Sequence, residues 1–133
     1  MEPIKVVVRY RDGRVIKGST QDFFPNRDRF HLFLTDKPSG EAIEVFRKDL
    51  KAIFMVRDFI GEPLHDERKR FIGGEKPSGK KVEVTFMDGE ELVGSTLGYD
   101  PNRQGFFIFP ADSQSNNIRV YVVSSFVEKV RYL

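Results

Sequence analysis

The chain is expected to be an all-β protein made of two tandem copies of a small five-stranded barrel. Two observations predict this. The first is an internal repeat: Asp12-Gly13, Gly18-Ser19-Thr20 and Pro25-Asn26-Arg27 return 76 residues later as Asp88-Gly89, Gly94-Ser95-Thr96 and Pro101-Asn102-Arg103. An apolar frame returns with them, Val6, Val8, Tyr10, Phe30 and Leu32 answering to Val82, Val84, Phe86, Phe106 and Ile108. After one inserted residue the offset becomes 77, and Val45, Leu50 and Ile53 answer to Val122, Val127 and Val130. Self-similarity of this kind marks one supersecondary unit used twice. The second observation is that the repeated unit alternates apolar and polar residues in short runs separated by turn residues, the period of half-buried strands. The expected division is residues 1–56 for the first repeat, 57–80 for a crossing segment and 81–133 for the second repeat.

Within one repeat each element has a local reason. Val6, Val8 and Tyr10 alternate with Lys5, Val7, Arg9 and Arg11, so Lys5 to Arg11 reads as a strand with one inward face. Asp-Gly follows in both copies and turns the chain back as a hairpin, because Gly accepts positive φ and Asp bonds the backbone just after it. The second strand passes through Gly18 or Gly94, and a glycine inside a strand marks a bulge or sharp bend, as at the corner of a small closed sheet. Pro-Asn-Arg breaks the pairing. A third strand runs from Arg29 to Leu34, or Gly105 to Phe109, and a polar loop leads to a fourth, Ala42 to Phe46 or Ile118 to Val123. A helical turn at Lys48 to Leu50, or Ser125 to Val127, precedes the last strand, Ile53 to Val56 or Lys129 to Leu133. Five short strands, the second bent, with one helical turn before the last, describe an SH3-like or Sm-like small barrel. The crossing segment carries several Gly and Pro and the charged run Asp66 to Arg70, with a short helical turn expected over Leu64 to Arg70.

Composition narrows the function classes. The 133 residues contain no cysteine, so a disulfide framework and a thiolate metal site are excluded and nothing demands an oxidising compartment. No apolar run is long enough for a membrane span and the amino terminus lacks the apolar core of a signal peptide, so a cytoplasmic protein without a membrane partner is expected. Net charge is +2, yet Lys5 to Val56 holds eleven basic and seven acidic residues against five and seven in Lys81 to Leu133. Repeats of about fifty residues bury marginal cores, which predicts that the two pack on each other or on a second chain.

The first repeat resembles an Sm-like protein. Asp12-Gly13, Gly18, Phe30 and Leu32 are similar to the first half of the Sm signature, and Arg47-Lys48-Asp49-Leu50 before Ile53 looks like the second half. The resemblance implies loops that hold single-stranded RNA. Only Arg47 matches an RNA-contacting position of that family; Pro25-Asn26-Arg27 and Lys48 depart from its pattern, and the second repeat has Ser124-Ser125 instead. Barrel geometry rather than RNA binding is what carries over. The whole chain also resembles a bacterial domain of unknown function, through Gly105-Phe106-Phe107, Ser115-Asn116-Asn117 and the repeated turns. That resemblance implies a setting among bacterial surface-motility and regulatory proteins.

Candidate binding residues fall into two groups. Pro-Asn-Arg is the one polar motif kept in both copies, and its Arg27 and Arg103, flanked by Asn26 and Asn102, would make equivalent forks for phosphate or carboxylate. The alternative role for these residues is to hold turns. Arg47 joins them through the Sm-like resemblance. Arg9, Arg11 and Arg14 would give the first repeat a basic stripe of the kind that binds single-stranded nucleic acid. Phe23, Phe24, Phe107 and Phe109 exceed what one small core can hold and are the candidate interface, between repeats or in a homodimer. His31 and His65 lie apart without ligand spacing, so no metal site is expected. No nucleophile motif, acid-base pair or phosphate loop opening a helix is present, so no catalytic residue and no cofactor are expected. The expected function is a noncatalytic binding or adaptor module with a protein partner. The alternative is binding of single-stranded nucleic acid or a nucleotide through the basic face of the first repeat.

Overall fold

A computed structural model of the chain describes residues 2–35, 40–59, 71, 79–112 and 115–133. The fold is all-β. The first half contributes β1 (Ile4–Tyr10), β2 (Val15–Thr20), β3 (Arg29–Leu34), β4 (Ala42–Phe46) and β5 (Leu50–Val56). The second contributes β6 (Lys80–Phe86), β7 (Glu91–Thr96), β8 (Gly105–Pro110), β9 (Asn117–Val123) and β10 (Val127–Tyr132). Single 3-10 turns, Arg47–Asp49 and Ser124–Phe126, precede β5 and β10. The helical turn expected over Leu64 to Arg70, and His65, lie outside the described residues.

The hairpins form for the reasons the sequence gives. Gly13 and Gly89 sit at φ 95° and 89°, where a side chain would be strained. Their N–H groups donate to the carbonyls of Tyr10 and Phe86, and Asp12 and Asp88 each accept from the N–H two residues on, at 3.0 Å. Gly18 and Gly94, expected to mark a bulge or sharp bend, sit where the neighbouring strand comes close: a Cβ on either would lie 2.4 or 2.2 Å from the carbonyl oxygen of Phe33 or Phe109.

Strand pairing repeats residue for residue. Val8 faces Ile53 and Val84 faces Val130; Arg9 faces Ala52 and Thr85 faces Lys129; His31 faces Glu44 and Phe107 faces Tyr121. The register shift falls at equivalent places, between Arg9 and Tyr10 against β5 and between Val127 and Lys129 against β6. Each half therefore has the order fifth, first, second, third, fourth strand.

The pair of closed barrels expected from the sequence is corrected here. The ten strands of the described residues lie in one open antiparallel sheet in the order β10-β6-β7-β8-β9-β5-β1-β2-β3-β4. The physical reason is β5, which pairs on its second edge with β9 of the other half, Ile53 opposite Tyr121 and Phe54 opposite Val120. Both faces of this joint are covered. Ile53, Met55, Tyr121 and Val123 face one core with Val6, Val8, Leu32 and Phe30. Ala52, Phe54, Val120 and Val122 face the other with Val82, Val84, Phe86 and Ile108. Every residue of β5 is buried for this reason, whereas its counterpart β10 is exposed or half-buried throughout.

A charged clamp closes the joint. Lys51, only 5% exposed, donates from Nζ to Asp88 Oδ2 and Glu90 Oε1, both at 2.7 Å, and lies 4.8 Å above the Phe86 ring. This hydrogen bond from Lys51 is the main reason the Asp88 carboxyl is held below its usual value, against the opposing effect of desolvation.

Candidate functional site

The Pro-Asn-Arg loops come from two halves of the sequence and meet at one place beside the joint. Both are closed by the same turn: Arg27 N–H donates to Phe24 O, and Arg103 N–H donates to Asp100 O, each at 3.0 Å. In the second loop Asp100 also accepts from Asn102 N–H at 2.9 Å. The 3-10 turns dock on these loops equivalently, Arg47 N–H to Asp28 O at 2.9 Å and Ser124 N–H to Gln104 O at 3.0 Å.

The side chains then diverge. Arg47 is buried, and its Nη1 donates to Pro25 O at 2.8 Å and Arg27 O at 2.5 Å, gripping the first loop from within. Burial raises the phenol of Tyr121, and the neighbouring Arg47 guanidinium, which also hydrogen-bonds it, moderates the rise. In the second half Ser124 stands where Arg47 would be. It is too short to grip the loop, and its Oγ is buried without a hydrogen-bond partner among the described residues.

The space beside it is a cleft of about 580 Å³ between Phe46, Arg47 and Lys48 of the first half and Pro101, Arg103 and Ser124 of the second. Lys48 and Arg103 are exposed and their side chains make no hydrogen bond or ion pair with any described residue. Adjoining hollows are lined by Asn26, Asn102 and Tyr121 on one side and by Arg27, Asp22 and His31 on the other. His31 Nδ1 lies 2.7 Å from Asp22 Oδ2. Burial raises the Asp22 carboxyl, but hydrogen bonds from the His31 ring, the His31 N–H and Thr20 outweigh it and leave the group below its usual value.

The expected site residues separate accordingly. Asn26, Arg27, Arg47, Asn102 and Arg103 are brought together, with Arg47 acting as a structural fork. Arg27 lies 5.0 Å over the ring of Phe24. The basic stripe is engaged elsewhere. Arg9 stacks at 4.8 Å on Phe54 and sits 3.9 Å from Glu90. Arg11 donates to Leu50 O at 3.1 Å and to Ser125 Oγ. Arg14 pairs with Asp12 at 2.8 Å and covers Tyr10.

Of the expected interface aromatics, Phe23 is buried and makes edge contacts with Phe30, Phe107 and Tyr121, so Phe23 and Phe107 join the two halves. Phe24 is 39% exposed and Phe109 half-buried. Lys48, Ser124 and Gln104 are the site residues the sequence reading did not single out. Their one sequence signal is the change from Arg47-Lys48 to Ser124-Ser125 between otherwise matching repeats.

No group of His, Asp and Glu that could hold a metal ion is found among the described residues, and no described helix is long and apolar enough to cross a membrane. The chain belongs to DUF6982, a family of unknown function, which matches residues 2–133. No curated protein and no solved structure matches it.

Proposed function

We propose that this member of DUF6982 is a noncatalytic binding module whose inter-half cleft takes an acidic segment of a protein partner. The observation that carries the reading is the meeting of the second Pro-Asn-Arg loop with both 3-10 turns at one cleft, with the first loop lining the adjoining hollows; there the exposed Lys48 and Arg103 make no hydrogen bond or ion pair with any described residue. Two exposed cations suit a carboxylate, since hydrogen bonds to ionised groups are about twice as strong as neutral ones. The nucleic-acid alternative draws on Arg9, Arg11 and Arg14, of which Arg11 and Arg14 hydrogen-bond to Leu50, Ser125 and Asp12, while Arg9 stacks on Phe54 at 3.9 Å from Glu90. The shared pairing register also supports reading each half as one SH3-like unit used twice. A cytoplasmic, bacterial regulatory setting belongs to the same proposal and rests on the sequence.

The test titrates the protein with a fluorescent oligo-glutamate peptide, an oligo-lysine peptide and single-stranded RNA and DNA. Expected is salt-sensitive binding of the acidic peptide, weakened about tenfold or more by Lys48→Glu or Arg103→Glu, as loss of a charge-assisted contact predicts. Binding of nucleic acid in preference, abolished by Arg9→Glu and Arg11→Glu, would replace this reading with the alternative.

A further inference from the structure

The joint between the halves is heterologous: the fifth strand of the first unit pairs with the fourth strand of the second. An interface of this type uses two different surfaces, so it leaves one copy of each unused and propagates unless something stops it. Among the described residues the unused surfaces are the two edges of the sheet, β4, a fourth strand, and β10, a fifth strand. Because both halves share one register, the pairing a second copy would make can be written down. Ala52 opposite Val122 becomes Lys129 opposite Val45, Ile53 opposite Tyr121 becomes Val130 opposite Glu44, and Phe54 opposite Val120 becomes Arg131 opposite Ile43.

Three of these replacements put charge where the joint has apolar side chains. Tyr121, Phe54 and Ala52 are buried in the two shared cores; their counterparts at the free edges are Glu44, Arg131 and Lys129. Glu44 and Arg131 are engaged within the chain, with Arg29 at 3.5 Å and Glu83 at 3.1 Å. Copying the joint would bury all three in an apolar core at a cost in desolvation that the incoming strand does not offset, since each would face Val130, Val45 or Ile43, and the Arg29 and Glu83 partners of Glu44 and Arg131 would lose water with them.

We propose that Glu44, Lys129 and Arg131 terminate the array at two units: the β4 and β10 edges are the two complementary surfaces of the internal joint, disabled by charge against a second copy of this chain. Charges on edge strands protect sheets from edge-to-edge pairing in general; here the edges blocked are the ones an existing joint would extend.

The experiment replaces each charge with the residue at the matching joint position, Glu44→Tyr, Lys129→Ala and Arg131→Phe, and measures mass in solution. The unsubstituted protein is expected at the mass of one chain, 15.4 kDa, and the triple variant at concentration-dependent multiples of it. Adding Ala42→Cys and Tyr132→Cys, which the transferred register places opposite each other, separates ordered pairing from aggregation, because the chain has no other cysteine. Disulfide-linked copies support the proposal. A folded triple variant that stays monomeric, oligomers that do not cross-link at this pair, or an unsubstituted protein already joined through these edges would overturn it. Should the triple variant fail to fold, the Glu44→Tyr and Arg131→Phe double variant, carrying the same cysteines, decides by the same readings.

Discussion

Arg47→Ser writes the residue of the second half into the first, and its cost measures what the buried fork contributes. Arg47 makes two hydrogen bonds from a charged donor, at 2.8 and 2.5 Å, to the carbonyls of Pro25 and Arg27. Each such bond contributes about 1.5–3 kcal/mol when its partner is otherwise left wanting. Two terms work against this sum: releasing the side chain regains about 2 kcal/mol of rotamer entropy, and Pro25 and Arg27 are exposed enough for water to reach the freed carbonyls. The net expectation is a loss of about 2–3 kcal/mol, which for a chain of this length lowers Tm by roughly 6–12 °C. Thermal unfolding followed by circular dichroism measures it, with Arg47→Lys as a control that keeps the charge and loses the fork. A second readout is the Tyr121 phenol, whose rise the guanidinium moderates. Its titration at 295 nm should move further upward in Arg47→Ser. A Tm within about 2 °C of the parent would show that the loop holds itself and that the fork argument is wrong.

Three further outcomes are expected. Lys51→Met keeps the packing of the stem and removes the ammonium, and because Asp88 and Glu90 remain accessible to water the loss should be about 1–2 kcal/mol by urea denaturation. The sign of its pH dependence follows from Asp88: a carboxyl held below 3.8 adds stability that is complete above that value and lost as pH falls through its lowered folded value. The acid limb of the stability curve should therefore be shallower in Lys51→Met, and an unchanged limb would exclude the clamp as its source. Gly94→Ala should cost about 2–3 kcal/mol through overpacking against Phe109 O, more than the roughly 1 kcal/mol for Gly89→Ala, where space is open and only φ resists; the reverse order in chemical denaturation would refute the close-approach reading. Finally, since β5 and β9 supply side chains to both cores, far-ultraviolet circular dichroism and tyrosine fluorescence should report one cooperative transition. Two resolved transitions would mean that the halves fold separately.

Much of one half was legible in the chain. Alternation placed Val6, Val8 and Tyr10 inward, and all three are buried. The Asp-Gly pairs marked the hairpins, and Gly18 and Gly94 marked irregular points of the second strands, where the structure shows contacts that no Cβ could share. Those signals are local: strand period, turn chemistry and absence of a side chain act within a few residues. The Pro-Asn-Arg loops were visible as a motif, but not that Arg103 would line a cleft with Lys48 while Arg27 lines the hollow beside it, nor that Arg47 would spend its donors on loop carbonyls. A guanidinium reads identically in sequence whether it faces a ligand or a backbone oxygen.

What the sequence determined by itself is the repeated unit, its strands and the inward face of the first strand in each copy, because these depend on neighbours along the chain. Only the tertiary structure decided that the units share one open sheet, that Phe54 and Tyr121 leave their own half to fill the other's core, and that Lys51 is buried beneath a turn 37 residues away. The run Leu50 to Val56 abandons alternation where β10 keeps polar residues, and this is the trace the joint leaves in the chain. Its meaning depends on which edge meets which. That choice is made by complementary packing between segments distant in sequence, to which no local rule refers.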